Sequence, residues 1–175
     1  MRRFLQGVLV PLGLAVGLLA FAPNAQATAE HRLAVAGIDA GSLKPGWTLD
    51  GENVVWDNGD VVLSFGTAAA SNTCASTYVC LYDNINFDDQ NRDGVPDGAM
   101  IARLRGQGDH DLGWYGFDNK MSSWKNYAAV DAIWFYNYPT SGTSYCMSSG
   151  TSVANEWVDS DKVSALWIGK TNTVC

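Results

Sequence analysis

Basic residues are scarce in this 175-residue chain, which has 11 Lys and Arg against 18 Asp and Glu and a formal net charge of -7. No basic patch is available to neutralise phosphates, so the sequence argues against a nucleic-acid partner. The only histidines are His31 and His110, and neither a nucleophile elbow nor a zincin motif is present. These absences predict a non-enzymatic protein.

The histidines and aromatic residues leave two functional alternatives. Asp109-His110-Asp111 resembles a general base beside an orienting carboxylate. Adjacent residues on a strand point to opposite faces, so we predict that His110 is a polar loop residue. The aromatic side chains could form the carbohydrate platform of a glycan-binding enzyme or lectin. Core packing is the preferred explanation for most of them, among them Trp114, Trp124, Trp134 and Trp167.

The only long apolar run lies at the N-terminus. Arg2 and Arg3 precede an apolar stretch at residues 4–21, and Ala25-Gln26-Ala27 is a small-residue cleavage site. We therefore predict a signal peptide over residues 1–27, and a membrane anchor is the alternative. No other stretch is apolar enough to span a bilayer. The expectation is a secreted, extracellular protein that has no membrane partner after cleavage.

Four cysteines are present, and export makes disulfides the expected state. Four cysteines allow three connectivities. Cys74 and Cys80 are close in sequence and are predicted to close a small loop, which leaves Cys146 to pair with Cys175. A zinc site is the alternative, but no CxxC pair or nearby histidine supports it.

Short strand-forming runs separated by turn residues dominate the rest of the chain. After a loose lead-in at residues 28–44, the β-rich runs 53–57 and 60–65 flank Asn58-Gly59, which is the strongest two-residue hairpin signal. We assign residues 28–70 to an N-terminal extension that contains this hairpin. The extension is too small to be stable alone and is expected to pack on its neighbour.

The main domain, residues 71–175, is predicted to be all-β. It alternates short strands with turn residues and shows little helical periodicity, apart from one short helical turn predicted at residues 124–127. The strand spacing is typical of an antiparallel sandwich or barrel. The predicted strands are residues 78–82, 99–104, 112–117, 132–136, 144–147 and 165–168.

An internal repeat divides this domain into two similar halves. Asp118-Asn119-Lys120-Met121-Ser122-Ser123 has a weaker copy at Ser160-Asp161-Lys162-Val163-Ser164-Ala165, and a Trp follows each. The segment from Tyr82 to the first copy is longer than its counterpart from Tyr136 to the second. The acidic stretch at residues 88–98 accounts for the excess, so we predict that it is an insertion into one of two similar units.

Two of these features resemble a known family. Val79-Cys80-Leu81-Tyr82-Asp83-Asn84-Ile85-Asn86-Phe87 is similar to an opening strand and folded hairpin, and residues 118–123 follow the pattern of two Asp or Asn, two variable residues, Ser or Thr, then Ser. Over residues 74–175 the chain thereby resembles a secreted microbial βγ-crystallin-like domain of peptidase inhibitor family thirty-six, the bacterial metalloproteinase inhibitor type. The resemblance implies a sandwich of two Greek keys and an inhibitor of an extracellular protease. We expect a monomer.

The resemblance also implies calcium loops, whose ligands come from both copies of the repeat. The implied ligands are Asn119, Lys120 through its carbonyl, Ser123 and Asp161. Ala165 replaces the final Ser of the second copy, and a methyl group cannot ligate a cation, so one of the family's two sites is expected to be damaged. A purely structural turn is the alternative. The second functional hypothesis is a calcium-binding extracellular module with a structural or antagonistic role.

A further candidate calcium loop lies in the acidic insertion. Oxygen-bearing side chains and Gly94 match the first nine places of an EF-hand loop. Met100 occupies the place of the bidentate Glu, so we predict a helix-free, Asp-rich calcium loop, and a solvated acidic loop is the alternative. The predicted ligands are Asp89, Asn91, Asp93 and Asp97.

A candidate reactive loop lies between Tyr138 and Glu156. A protein inhibitor presents a rigid, substrate-like loop whose ordering cost is already met by the scaffold. Turn residues bend the chain here, and Cys146 anchors it. Tyr145, Cys146 and Met147 are predicted to form the inhibitory loop, in which Tyr145 and Met147 would enter an apolar protease pocket. An ordinary strand-turn-strand segment is the alternative.

Overall fold

A computed structural model of the chain describes residues 25–51, 53–65, 74–87 and 100–169. Residues 1–24 of the predicted signal peptide lie outside these ranges. Helix α1 (Ala25–Val35) is followed by the strands β1 (Thr48–Asp50), β2 (Asn53–Trp56), β3 (Val61–Phe65), β4 (Val79–Tyr82), β5 (Met100–Leu104), β6 (Gly108–Asp111), β7 (Ser123–Asn126), β8 (Ala132–Asn137), β9 (Ser141–Met147), β10 (Ser152–Val153) and β11 (Ala165–Ile168).

The strands form two antiparallel sheets. The larger sheet has the order β1-β2-β3-β5-β4-β7-β10, and the smaller sheet has the order β6-β11-β8-β9. Buried apolar side chains from both sheets belong to one core cluster, which includes Leu81 and Trp124 from the first sheet and Trp134 and Leu166 from the second. The predicted all-β sandwich is therefore confirmed.

Two four-stranded units, β4–β7 and β8–β11, exchange their third strands. Strand β6 of the first unit pairs with β11 in the smaller sheet, and β10 of the second unit pairs with β7 in the larger sheet. The remaining strands of each unit stay together, in the orders β5-β4-β7 and β11-β8-β9. This exchange confirms the two predicted Greek keys and ties each unit to the other through main-chain hydrogen bonds.

The N-terminal hairpin is built into the larger sheet. Strands β2 and β3 pair antiparallel, as the sequence predicts, and Asn58 in their connection has a φ of 56°. Strand β3 then pairs with β5 over five residue pairs, from Val61 with Leu104 to Phe65 with Met100. Strand β5 is thereby covered on both sides, so the hairpin removes an apolar edge on which other chains could pair.

The lead-in to this hairpin is more ordered than the sequence predicts. Helix α1 runs to Val35, and a 3₁₀-helical turn covers Ala40–Ser42. Leu33, Ile38 and Leu43 are buried in the same core as the sandwich. Residues 28–44 are polar and rich in small residues, so the sequence alone gives only weak signals of structure there. Leu33, Ile38 and Leu43 are buried by contacts with strands that are distant in sequence.

Two local predictions in the first unit are wrong. Residues 112–117, predicted as a strand, begin with a 3₁₀-helical turn (Leu112–Tyr115), because the Asp111 carboxylate accepts a hydrogen bond from the N–H of Gly113 at 2.9 Å and Gly116 ends the turn with a φ of 72°. Residues 124–127 are predicted as a helical turn, but the first three of them belong to β7. That segment is extended because it pairs with β4 on one side and β10 on the other.

The two units have different first connections. Strands β4 and β5 are joined by residues 83–99, whereas residues 138–140 join β8 and β9. The extra length of the first half therefore lies where the sequence predicts the insertion. The acidic stretch itself lies outside the described residues.

Each unit contributes one tryptophan and one leucine to the centre of the core. Leu81 of β4 lies opposite Trp124 of β7, whereas Trp134 of β8 lies opposite Leu166 of β11, and all four are at most 1% exposed. The tryptophan thus lies on the last strand of the first unit but on the first strand of the second unit, and the leucine takes the opposite place. Each pair therefore fills a similar volume. The predicted core position is wrong for Trp114, which is 48% exposed, and Trp167 is only partly buried.

Candidate functional site

The two copies of the repeated loop lie against each other. The N–H of Asn119 donates to the carbonyl of Val163 at 3.0 Å, and the N–H of Asp161 donates to the carbonyl of Met121 at 3.0 Å. Asn119 and Asp161 both have left-handed backbone conformations, with φ values of 53° and 58°. The loops are therefore related by an approximate two-fold symmetry, which follows from the exchange of strands between the units.

This arrangement places Asn119, one of the predicted calcium ligands, beside side-chain oxygens of both loops. Asn119 Oδ1 lies 3.4 Å from the hydroxyl oxygen of Ser164, and the Asn119 amide donates to Asp118 Oδ2 at 3.0 Å. The side chain of Asp161 is exposed and that of Lys120 is half-buried. Across the described segments, no three His, Cys, Asp or Glu side chains are grouped closely enough to hold a metal ion. Any cation here would rely on amide, hydroxyl and main-chain oxygens.

Ser123 has a structural role that the sequence analysis did not predict. Its fully buried hydroxyl donates to the carbonyl of Asn84 at 2.6 Å and accepts a hydrogen bond from the N–H of Phe87 at 3.1 Å. Ser123 thus fastens the long β4–β5 connection onto β7. The prediction that Ser123 ligates calcium is corrected accordingly, because its oxygen is enclosed by the hairpin that it holds.

The same contacts explain the alanine at the equivalent position of the second copy. Ala165 begins β11 as Ser123 begins β7. Three residues, 138–140, join β8 and β9, which is too short a connection for a folded hairpin like the one that Ser123 holds. The difference in loop length thus accounts for an alanine at position 165. The ligands predicted in the acidic insertion, Asp89, Asn91, Asp93 and Asp97, lie outside the described residues.

The predicted inhibitory loop is a strand. Tyr145, Cys146 and Met147 belong to β9, which pairs with β8. Tyr145 is 54% exposed and stacks on Trp134 with ring centroids 5.9 Å apart, but Met147 is fully buried in the core. Met147 cannot enter a protease pocket, because it lies opposite Ala132 and is enclosed in the core. The prediction for Met147 is wrong.

One disulfide is established by the described residues. Cys74 and Cys80 are bonded, with Cα atoms 5.8 Å apart, which confirms the predicted small loop at the start of the main domain. Cys146 is half-buried and is not a free thiol. Its predicted partner, Cys175, lies outside the described residues, so that pairing stays a prediction.

His110 is buried on β6 and is not the polar loop residue that the sequence predicts. It is 8% exposed, and its Nε2 lies 2.6 Å from the carbonyl oxygen of Gly106. Burial lowers the pKa of His110 below the usual value of a histidine. Asp109 is exposed on the opposite face of the strand, so it cannot orient the imidazole. His110 therefore acts as a packing residue beside Tyr115, whose ring centroid is 6.2 Å away.

A turn between β10 and β11, residues 154–162, carries the feature that the sequence analysis missed. We refer to it as the Trp157 turn. Trp157 and Val158 are 83% and 75% exposed, although their neighbours are held by hydrogen bonds. The N–H groups of Asp159 and Ser160 both donate to the carbonyl of Glu156, at 2.7 and 2.6 Å. An apolar pair within a polar, turn-forming segment is the sequence signal that could have identified it.

The Glu156 carboxylate links this turn to the core. Its Oε1 accepts a hydrogen bond from the indole N–H of buried Trp124 at 2.5 Å. Burial raises the pKa of Glu156, the Trp124 hydrogen bond opposes that shift, and the charge of Asp159 adds to it. Because the folded protein binds this proton more tightly than the unfolded chain does, the charged carboxylate lowers stability as the pH rises above about 4.5.

Replacing Glu156 with glutamine is therefore expected to change how stability depends on pH. The Gln amide oxygen still accepts from Trp124, but it carries no charge to desolvate. The difference in unfolding free energy between E156Q and the wild type should thus grow in favour of E156Q between pH 4 and pH 7. E156A is the matched control, because it also removes the titratable carboxyl but leaves the Trp124 indole without its acceptor, so it should be less stable than E156Q by about 1–3 kcal/mol at either pH. Urea denaturation measures both effects, and a difference that is constant with pH would contradict this assignment.

The strand order, the exchange of strands between the two units and the paired loops together define the fold. The molecule is a βγ-crystallin-like double Greek-key sandwich. Residues 67–147 match the model of peptidase inhibitor family I36. Just under half of the chain is thus similar to this peptidase inhibitor family. No curated protein matches the chain at a significant level.

Several solved βγ-crystallin structures are similar to the chain. One, from work on the evolution of the eye lens βγ-crystallin domain fold, is 18% identical, with 63% of this chain and 99% of the other covered and a TM-score of 0.47. The N-terminal domain of Protein S is 15% identical, with 55% and 99% covered and a TM-score of 0.43. A βγ-crystallin domain from Flavobacterium johnsoniae is 20% identical, with 55% and 98% covered and a TM-score of 0.40.

Proposed function

We propose that this protein is a secreted, non-enzymatic inhibitor of an extracellular peptidase. The observation that carries the proposal is the match of residues 67–147 to peptidase inhibitor family I36. The apolar leader followed by Ala25-Gln26-Ala27 supports export. In the described part of the chain, no helix is long and apolar enough to cross a membrane.

The scaffold suits inhibition by a preformed surface. Exchanged strands join the two Greek keys, the Cys74–Cys80 disulfide closes the start of the domain, and Ser123 fastens the long β4–β5 connection. A surface held in this way does not have to be ordered when a partner binds, so less binding free energy is lost. His110 is buried, and its Nε2 contacts the carbonyl oxygen of Gly106, so this nitrogen is not open to a substrate. The burial of His110 therefore supports a non-enzymatic role.

The direct test is inhibition of a panel of secreted metallo- and serine peptidases by the protein that begins at Thr28. We expect tight inhibition of at least one peptidase, with a stoichiometric end point in a titration against a small chromogenic substrate. Mass spectrometry of the mixture separates inhibition from competition, because an inhibitor stays intact whereas an alternative substrate is cleaved. If no peptidase in either class is inhibited at a large molar excess, the proposal fails.

A calcium-binding extracellular module is the second candidate. The observation that favours it is the symmetric pairing of the two loops, which places Asn119 beside Ser164 and leaves the carboxylate of Asp161 exposed. Asn119 and Asp161 fit a hard cation, because they carry oxygen side chains on left-handed turns. Ser123 does not fit, because its hydroxyl is enclosed. When bound, calcium would supply charge that holds the two loops together.

If the paired loops bind calcium, the melting temperature should rise in millimolar Ca²⁺ and return to its starting value with chelator. N119A and D161A should each remove most of this rise, whereas D93A tests the acidic insertion separately. S123A is the matched control: it should lower the melting temperature equally with and without Ca²⁺, because it breaks the hairpin contacts. A melting temperature that does not respond to Ca²⁺ would make both loops structural turns only.

A further inference from the structure

Trp157 and Val158 are the two most exposed large apolar side chains in the described parts of the chain. Exposing a tryptophan to water has no benefit for folding, since burying it would stabilise the native state. The other exposed tryptophan, Trp114, is 48% exposed and packs near Tyr138 with ring centroids 6.0 Å apart. Trp157 therefore differs from the aromatic residues that the sandwich uses for packing.

The main chain beneath Trp157 is anchored at both ends. The carbonyl of Ala154 accepts from the N–H of Asn86 at 2.6 Å, so the turn is tied to the β4–β5 connection. The N–H of Glu156 donates to the carbonyl of Ser122 at 3.0 Å, and the N–H of Asp161 donates to the carbonyl of Met121. These bonds hold the Trp157 turn against the paired loops of the repeat.

Side chains hold the same turn from below. Trp124 donates to the Glu156 carboxylate, and the hydroxyl of Tyr136 donates to Asp159 Oδ1. The ammonium group of Lys162 donates to the carbonyl of Val158 at 2.5 Å. Of the two residues that flank the exposed pair, Glu156 is thus hydrogen-bonded to Trp124 of the core, and Asp159 is hydrogen-bonded to Tyr136, which packs against the core. A partner that binds Trp157 meets a turn that is already ordered.

The charges around Trp157 and Val158 indicate what kind of partner surface would be complementary to the turn. Glu156, Asp159 and Asp161 carry carboxylates within the turn, and Lys162 is the only basic side chain in it. A complementary surface combines an apolar pocket with a positively charged rim, since such a rim also accelerates association with an acidic protein. Tryptophan is one of the residue types that are enriched among those dominating the binding energy of protein interfaces.

We propose that the Trp157 turn is the contact by which this inhibitor binds its peptidase, with Trp157 entering an apolar pocket that has a basic rim. This inference rests on the proposed function and names the surface that carries it out. It replaces the predicted inhibitory loop on β9, where Met147 is buried. Trp157 supplies the buried contact, Val158 extends it, and the acidic groups orient the approach.

The test compares the inhibition constants of wild type, W157A, V158A and W114A against a peptidase that the wild type inhibits. W157A should weaken inhibition by about 30-fold or more, and V158A should weaken it less. W114A is the matched control for loss of an exposed tryptophan and should inhibit as the wild type does. Circular dichroism and melting temperature should be unchanged in W157A, because its side chain packs against nothing that the fold needs.

Charge is tested separately with D161N, since asparagine tolerates the left-handed backbone at this position. We expect a several-fold slower association with the peptidase and a weaker dependence of the association rate on salt. The dissociation rate should change little, because the charge guides the approach and does not fill the pocket.

Each outcome separates this inference from the proposed function. If W157A inhibits the peptidase as well as the wild type does, the assignment of the Trp157 turn as the contact is overturned, whereas the proposed inhibitor function still holds. Equal losses in W157A and W114A overturn it too, because they indicate nonspecific apolar contact. Self-association in sedimentation that W157A abolishes, with inhibition unchanged, assigns the turn to a second copy of this chain. If the wild type inhibits no peptidase, both proposals fall together.

Discussion

Deletion of residues 1–65 is expected to abolish folding of the sandwich. The deletion removes side chains that are at most 7% exposed and belong to the common core, namely Leu33, Ile38, Leu43, Val54, Trp56, Val61, Leu63 and Phe65. Burying one such side chain contributes about 1.5–3 kcal/mol. A domain has a net stability of about 5–15 kcal/mol, so the loss exceeds what the remaining contacts can balance.

The same deletion exposes an edge. Strand β5 has β3 on one side and β4 on the other, and without β3 its main-chain groups are unpaired along an apolar strand. Polar anchors are lost as well: Arg105 pairs with Asp60 at 2.8 Å, and the hydroxyl of Tyr78 donates to the carbonyl of Gly59 at 2.8 Å. Exposed apolar edges promote aggregation, so we expect insoluble or oligomeric protein.

The measurement compares chains that begin at Thr28 and at Gly66 under identical expression and purification. The longer chain should be monomeric in sedimentation and should melt cooperatively. The shorter chain should precipitate or show no cooperative transition. A monomeric shorter chain with the same near-ultraviolet circular dichroism would show that residues 28–65 are a removable segment and that the sandwich is complete without them.

The second large effect concerns the tryptophan and leucine pair of the second unit. W134L removes a fully buried indole and should destabilise the protein by about 2–4 kcal/mol, and L166W overfills the same layer at a cost of about 1–3 kcal/mol. The double variant reproduces the arrangement that Leu81 and Trp124 adopt in the first unit. It should recover at least about 1 kcal/mol of the summed losses, because the two residues are in contact.

This pair suits the exchange because the Trp134 indole N–H has no hydrogen-bond partner among the described residues, so moving the ring breaks no hydrogen bond. W167L is the matched control, since Trp167 is only partly buried next to Leu166 on β11, and its loss should be smaller. Denaturant unfolding of the four proteins gives the coupling energy. Additive losses in the double variant would show that the two strands pack independently of side-chain volume.

Several features followed from sequence alone because they depend on residues that are close along the chain. Asn58-Gly59 predicted the β2–β3 hairpin through its tolerance of positive φ, and the four residues of β11 were predicted end to end. The short spacing of Cys74 and Cys80 predicted their disulfide. The unequal halves of the repeat located the insertion between β4 and β5. Turn chemistry, strand patterning and short-loop closure act locally, so the chain itself displays them.

Other features were decided by the tertiary structure. The exchange of β6 and β10 between sheets, the fastening of Asn84 and Phe87 by Ser123, and the burial of Met147 all depend on pairings between distant segments. Residue type alone identified Ser123 as a ligand and Met147 as a contact residue, whereas packing enclosed both. Packing also left Trp157 outside the core. A side chain's role here depends on which face its strand or turn presents, and distant partners determine that face.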